Sequence, residues 1–260
     1  MASEERFRGI NVVDAGKLSA YWGEHVARYV FASQYIENKN ILDIACGTGY
    51  GLGFLKNKSK LVIGVDIDIK AVREAKKECN EKVSVLTGDA LKLPFADERF
   101  DLITSFETLE HLHERRLFLS ELNRVLKQNG ILILSTPNAN YTKPLNGKPL
   151  NPFHVFEYKP EELRVELENH FVMQRFLGQT LGEEFAIPPF YDAQTRLSKN
   201  FVTQTKLFCW KVVNKLPVSS RESLSQMIWQ KPFYPTENDY RFTPEIVETA
   251  PVLIAVCQKK

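Results

Sequence analysis

From Asn40 onward the chain alternates short apolar runs with amphipathic stretches. Five runs, 41–45, 61–66, 83–86, 100–105 and 131–135, are nearly all apolar, as expected of strands covered on both faces. Between them the apolar residues recur at helical spacing. One helix is predicted to start at the cap Asp68 and to place Ile69, Val72, Ala75 and Cys79 on one face. A second runs from about 112 to 127, turns Leu119, Leu122 and Leu126 inward, and stops at Asn129-Gly130, a left-handed terminator. A third opens at Pro160 with Glu161 and Glu162 in its first turn, where the helix dipole favours acids. Strands alternating with helices in this way predict an α/β, doubly wound, mostly parallel sheet.

Outside that block the pattern changes. Trp22, Val26, Tyr29 and Val30 recur at helical spacing, so 1–39 reads as a helical lead-in or lid. A strand is expected at about 171–178 and a last one at 251–257. The stretch between them holds Pro188-Pro189 and many aromatics, among them Phe185, Phe190, Tyr191, Phe201 and Trp210. We read 40–178 and 250–260 as the core, and 179–249 as an insertion that caps a substrate.

The chemistry concentrates where the first run ends. Ile41-Leu-Asp-Ile-Ala-Cys-Gly-Thr-Gly-Tyr-Gly51 is a strand running straight into glycines and then a helix. Gly47 and Gly49 permit a sharp turn and close approach of a ligand to the main chain. Asp66 ends the second run, 19 positions after Gly47. An acid placed there in such a fold binds ribose hydroxyls. Gly88-Asp89 follows the third run, at the carboxyl edge where open α/β sheets bind ligands. A dinucleotide site wants a third glycine where Leu52 stands, which disfavours a nicotinamide-dependent oxidoreductase. Asp43, inside the strand, suits a ligand ammonium, directly or through water.

Taken together, LDIACGTGYG, VIGVDID, GDALKLPFADERFD, FDLITSFETLEHL and GILILSTPN resemble, in order, the five motifs of the class I S-adenosylmethionine-dependent methyltransferases, of the methyltransferase type 11 kind. The resemblance covers roughly 40–178 and the last strand. It implies a Rossmann-like, seven-stranded sheet whose last strand is antiparallel and inserted between its neighbours. It implies S-adenosyl-L-methionine as cofactor. Asp43, Ala45, Gly47 and Gly49 then line its methionine part, Asp66 holds the ribose, and Ile67 packs on adenine. Asp89 accepts from the adenine amino group with Gly88 and the Ala90 backbone beside it, while Ser105 and Phe106 lie along the sulfonium side. Glu107 is read as a contact for the cofactor amine or a substrate hydroxyl, with a solvated helix-start acid as the bland alternative.

An alcohol acceptor benefits from a base near neutral pH, usually histidine. His111 follows Glu107 and Glu110 after the fourth run, and His154 lies in Asn151-Pro-Phe-His-Val-Phe-Glu-Tyr158 after the fifth. Both belong to the carboxyl edge and are the candidate catalytic residues, with loop fixing or packing as the bland alternative for each. The loop around His154 also resembles one in methyltransferases of sugar and glycan biosynthesis, which implies a small-molecule acceptor of that class. A lipid-like or quinone acceptor and a non-catalytic adenosylmethionine-binding protein are the other readings. His25 is read as part of a lid, and His170 as a strand start.

Composition narrows the partners. The formal net charge is only +2, and no Asn/Asp-Pro-Pro-aromatic motif follows the fourth run, so nucleic acid is not expected. No apolar run reaches bilayer length, and MASEERFRGI lacks the layout of a secretory signal. A cytoplasmic enzyme is expected. The basic, aromatic stretch 198–216 is read as a cap helix, or less readily as a peripheral membrane contact. Cys46, Cys79, Cys209 and Cys257 form no metal pattern, are expected to pack, and no metal is assigned.

Overall fold

In the computed structural model, which describes residues 22–182, 200–213, 215–230 and 233–260, the apolar runs take their places in one sheet. Its strands are β1 (Asn40–Ile44), β2 (Leu61–Asp66), β3 (Val83–Thr87), β4 (Phe100–Phe106), β5 (Leu126–Pro137), β6 (Phe171–Leu181), β7 (Tyr240–Thr243) and β8 (Val252–Lys259). Their order is β3-β2-β1-β4-β5-β8-β6-β7. The strands β1 to β5 pair in parallel. The last strand, β8, lies antiparallel between β5 and β6, with Ala255 opposite Leu134 on one side and Phe176 on the other.

Successive residues along each central strand enter different cores. Leu42, Ile103, Leu132 and Leu134 pack with Phe118, Leu122 and Leu163 on one face. Ile41, Leu102 and Ile133 pack with Tyr29, Leu52 and Val72 on the other. Two covered faces explain why these runs are apolar throughout instead of alternating.

The helices are α1 (Trp22–Ala32), α2 (Leu52–Leu55), α3 (Ile69–Ala75), α4 (Arg115–Val125), α5 (Ala139–Thr142), α6 (Pro160–Glu168), α7 (Phe201–Val213) and α8 (Val218–Trp229). Asp68 caps α3 as predicted, its Oδ1 accepting from the Lys70 amide at 2.8 Å. The lysine before α6 is held likewise, its amide donating to Glu162 Oε2 at 2.9 Å.

Four expectations need correction. Among the described residues the sheet has eight strands, not seven: β6 runs on to Leu181, and β7, drawn from the segment read as insertion, pairs with its end. Phe242 of β7 stacks on Phe31 of α1 at 4.8 Å, a long-range contact that a four-residue strand does not announce in its own pattern. The helix expected over 112–127 is shorter. A 3-10 turn occupies Leu109–His111, α4 ends at Val125, and the chain is already in β5 at Leu126. Asn129, at φ +61°, therefore turns the chain within the irregular start of β5, not at a helix end. In α3, Ala71, Val72 and Ala75 form the inner face. Ile69 is exposed, and Cys79 lies beyond a 3-10 turn, also exposed. Cys46 and Cys257 are buried packing residues. Phe185, Phe190 and Tyr191 lie outside the described residues.

Candidate active site

The chain leaves β1 through three left-handed residues, Ala45 at φ +55°, Gly47 at +56° and Gly49 at +82°. The two glycines do different work. Among the described residues a Cβ on Gly47 would meet nothing within 4 Å, whereas one on Gly49 would come within 2.8 Å of the Ala75 side chain. The helix that follows, α2, is a single turn, so its dipole contributes little. The loop is tied to β2 by Cys46 N to Val65 O, 3.1 Å, and by Gly47 N to Asp66 Oδ2, 2.8 Å.

Asp66 is buried and its other oxygen accepts from the Asp68 amide at 2.9 Å. Both oxygens of Asp66 thus accept from backbone amides of the loop and of the turn after β2, which fixes the carboxylate at the sheet edge. Beside it Ile67 is 62% exposed among the described residues, an apolar side chain presented at the same edge. Gly88 N donates to Asp66 O at 3.0 Å, which brings the Asp89-Ala90 turn against the end of β2. Asp89 Oδ1 accepts from the Leu91 amide at 2.9 Å.

Asp43 is enclosed. It is fully buried, with Thr104 Oγ1 donating to Oδ1 at 2.7 Å and the Tyr29 hydroxyl to Oδ2 at 3.1 Å. Burial pushes its pKa up to about 7, against the lowering effect of those two donors. These two bonds tie α1 and β4 to the Asp43 carboxyl, and a ligand ammonium would reach it beside the Tyr29 hydroxyl or through water.

Across the edge, Ser105 is buried with no partner for Oγ among the described residues. The Phe106 ring meets Tyr29 edge-on at 5.0 Å. Glu107, directly after β4, is in a left-handed conformation, φ +51°, which only a few per cent of non-glycine residues adopt. Its Oε1 accepts from Ser135 Oγ at 2.7 Å and lies 3.5 Å from the Arg28 guanidinium. Arg28 itself is buried, bonded to Glu24 at 2.6 Å and to Gln179 of β6 at 2.7 Å. His25 sits beside it, and burial together with the Arg28 charge holds its imidazole well below the usual range.

The two candidate histidines come together. Their rings meet edge to face, with centroids 4.9 Å apart. The peptide of Glu110 makes the join, its carbonyl accepting from Val155 N at 2.7 Å and Phe156 N at 3.2 Å. His111 Nδ1 lies 3.0 Å from Phe153 O. A carbonyl only accepts, so Nδ1 carries the proton and Nε2 the lone pair. Burial lowers the His111 pKa, which keeps the ring neutral. His154 Nδ1 lies 2.6 Å from Glu157 Oε1, and Asn151 Nδ2 lies 2.9 Å from its Nε2. By the same reasoning its lone pair is on Nε2. Glu110 is fully buried, and burial together with the Glu107 charge raises its pKa well above the usual value. Its Oε2 accepts from Thr136 Oγ1 at 2.9 Å.

Sequence reasoning passed over Arg28, Gln179 and Glu157, and named Glu110 only as a neighbour. The local spacings Glu24/Arg28 and His154/Glu157 were visible, but their partners across the fold were not. His170 stands just before β6, and His113 is exposed.

Residues 42–134 match the family described as Methyltransferase domain. Over 168 residues the chain is 33% identical to a protein of Mycolicibacterium smegmatis described as a probable S-adenosylmethionine-dependent methyltransferase, covering 64% of this chain and 65% of that protein. It is 30% identical over 146 residues to a demethylmenaquinone methyltransferase of Thermotoga maritima, covering 55% and 62%. It thus spans about half to two thirds of the length of the curated relatives it matches. The fold is also that of a crystallised S-adenosylmethionine-dependent methyltransferase of Mesorhizobium loti. That likeness has a TM-score of 0.53 and 16% identity, over 93% of this chain and 98% of the other.

Proposed function

We propose that this chain, whose core is a class I S-adenosylmethionine-dependent methyltransferase domain, binds that cofactor at the glycine loop and methylates an oxygen of a small, polar acceptor, in the first instance a sugar or glycan precursor. The observation that carries the reading is the pairing of two features along one sheet edge: a glycine loop with a ribose-binding carboxylate, and a cluster of Glu110, His111 and His154 beside the ends of β4 and β5. The residues fit the cofactor. Among the described residues there is open space over Gly47, a carboxylate at Asp66 held by backbone amides at the end of β2, and an exposed Ile67.

When bound, the cofactor supplies a methyl group on a sulfonium, open to in-line displacement by a nucleophile. In this reading Asp66 holds the ribose hydroxyls, Ile67 covers adenine, and Asp89 and the Ala90 backbone meet its amino group. Ser105, Phe106 and Glu107 border the sulfonium side. Glu107 is held in place by Ser135 and Arg28. The His111–His154 pair activates the acceptor hydroxyl, in the simplest form by taking its proton on an Nε2 lone pair. Hydroxyl-rich acceptors suit this edge, where acids, imidazoles and Asn151 cluster. Residues of 179–249 are proposed as the acceptor's cover.

Incubating the protein with the cofactor and sugar or glycan acceptors should yield a product heavier by one methyl group, alongside adenosylhomocysteine. Failure to bind adenosylhomocysteine would overturn the reading. A second reading, a lipid-like or quinone acceptor, draws on α7, where Phe201 (82%) and Phe208 (67%) are exposed. Methylation of quinols with none of sugars, and co-sedimentation with vesicles that Phe201→Ser with Phe208→Ser abolishes, would favour it.

A further inference from the structure

The cluster at the acceptor end has the composition and layout of a cation site. One donor atom from each of Glu110, His111 and His154 lies within 4.8 Å of the others. These residues come from the turn after β4 and from the loop after β5, which are held together by the Glu110 carbonyl. Each imidazole is already fixed in the tautomer a metal needs. His111 donates its Nδ1 proton to Phe153 O, and His154 donates its own to Glu157. A ligating histidine typically gives its other N–H to a carbonyl or carboxylate, which sets the ring and raises its basicity. Both forms of that support are present here.

The second observation is Glu110 Oε1. It is fully buried, yet has no hydrogen-bond partner among the described residues. It lies 3.9 Å from His111 Nε2. A buried carboxylate oxygen left unpaired is costly, and a divalent cation would supply both the missing partner and the missing charge. Donors bound at about 2.1 Å around a tetrahedral ion stand roughly 3.4 Å apart, so the three groups need to close by about an ångström, within reach of side-chain rotation.

We propose that Glu110, His111 and His154 bind a divalent first-row transition ion of the zinc class, with Glu157 as the residue that positions His154. Two imidazoles and one carboxylate favour such an ion over magnesium or calcium, which prefer all-oxygen sites. Three protein ligands leave a position open, as catalytic zinc sites do. The ion would displace the Asn151 amide from His154 Nε2, and its open position would take an oxygen of the acceptor. With the ion bound, the acceptor hydroxyl would be acidified by the ion and lose its proton to solvent, in place of transfer to an Nε2 lone pair; the inference rests on the functional reading above only for the identity of that oxygen.

The test uses the full chain carrying Cys79→Ser, which removes an exposed thiol, stripped of metal by a chelator. Titration calorimetry with Zn²⁺ should find one tight site per chain, with Co²⁺ giving the absorption of a four- or five-coordinate complex and Mg²⁺ and Ca²⁺ binding far more weakly. Glu110→Gln and His111→Ala should abolish the site, and Glu157→Gln should weaken it about 10–100-fold. All variants should keep the parent circular dichroism and adenosylhomocysteine affinity, which separates loss of the ion site from misfolding. Absence of a stoichiometric site, or one unchanged in both Glu110→Gln and His111→Ala, overturns the proposal while leaving adenosylhomocysteine binding to judge the methyltransferase reading. A metal site in a chain that does not bind adenosylhomocysteine would uphold the proposal and overturn the reading.

Discussion

Gly51→Ala is a small change that should have a large and diagnosable effect. Gly51 has φ −73° and ψ −27°, a conformation alanine adopts freely, so the backbone raises no objection. Space does. A Cβ there would fall 2.0 Å from Tyr29 Cζ, inside the ring. Tyr29 is buried, and its ring packs against Tyr50 at 5.4 Å and Phe106 at 5.0 Å. Moving it therefore strains the packing by about 1–3 kcal/mol. It also breaks the 3.1 Å bond to the buried Asp43, worth about 1.5–3 kcal/mol for a charged partner. The expected loss is roughly 2.5–6 kcal/mol, read from urea unfolding followed by circular dichroism. The decisive control is the same substitution in a Tyr29→Ala background. With the ring gone, Gly51→Ala should be neutral or stabilising by up to about 1 kcal/mol, through the unfolded-state effect of removing glycine. If Gly51→Ala costs the same in both backgrounds, the ring is not what the glycine accommodates, and the account of how α1 seats on the loop is wrong.

Asp43 should make stability pH-dependent in an unusual direction. Its folded pKa of about 7 lies above the ordinary value of about 3.9, so its burial is harmless below about pH 4, weighs increasingly against folding as pH rises from there to about 7, and has its full effect above that. Asp43→Asn, compared with the parent by urea melts at pH 5 and pH 8, should gain on it by a few kcal/mol at the higher pH; a difference independent of pH would refute this. Asp66→Ala should weaken adenosylhomocysteine binding by about 1.5–3 kcal/mol in calorimetry, and unchanged affinity would remove Asp66 from the site. His111→Ala should lower methyl transfer about 10²–10⁴-fold with cofactor affinity intact. In the metal-free parent the rate should rise with pH through a pKa below the usual histidine range, since burial lowers that of His111. Near-normal turnover in both His111→Ala and His154→Ala would leave positioning alone to carry the reaction.

Periodicity along the chain was enough to determine the parallel α/β core. Apolar runs without alternation require two covered faces, and the spacing from Gly47 to Asp66 marks a loop and acid that share one edge. These are local properties, because a strand's burial and a turn's φ are dictated by a few neighbouring residues. The antiparallel last strand was legible only by family resemblance. Tertiary structure alone decided the rest. Arg28 meets Gln179 across 151 positions, and Asp43 is closed off by Tyr29 and Thr104. Glu110 and His111 meet His154 because β4 and β5 are adjacent and a loop folds back onto a single carbonyl. The short β7 is held by its pairing with the end of β6 and by the contact of Phe242 with Phe31. None of these partners is within a helical turn or a hairpin of the other, so no periodic signal links them. What joins them is the order of strands in the sheet, which sets which loop tips share an edge.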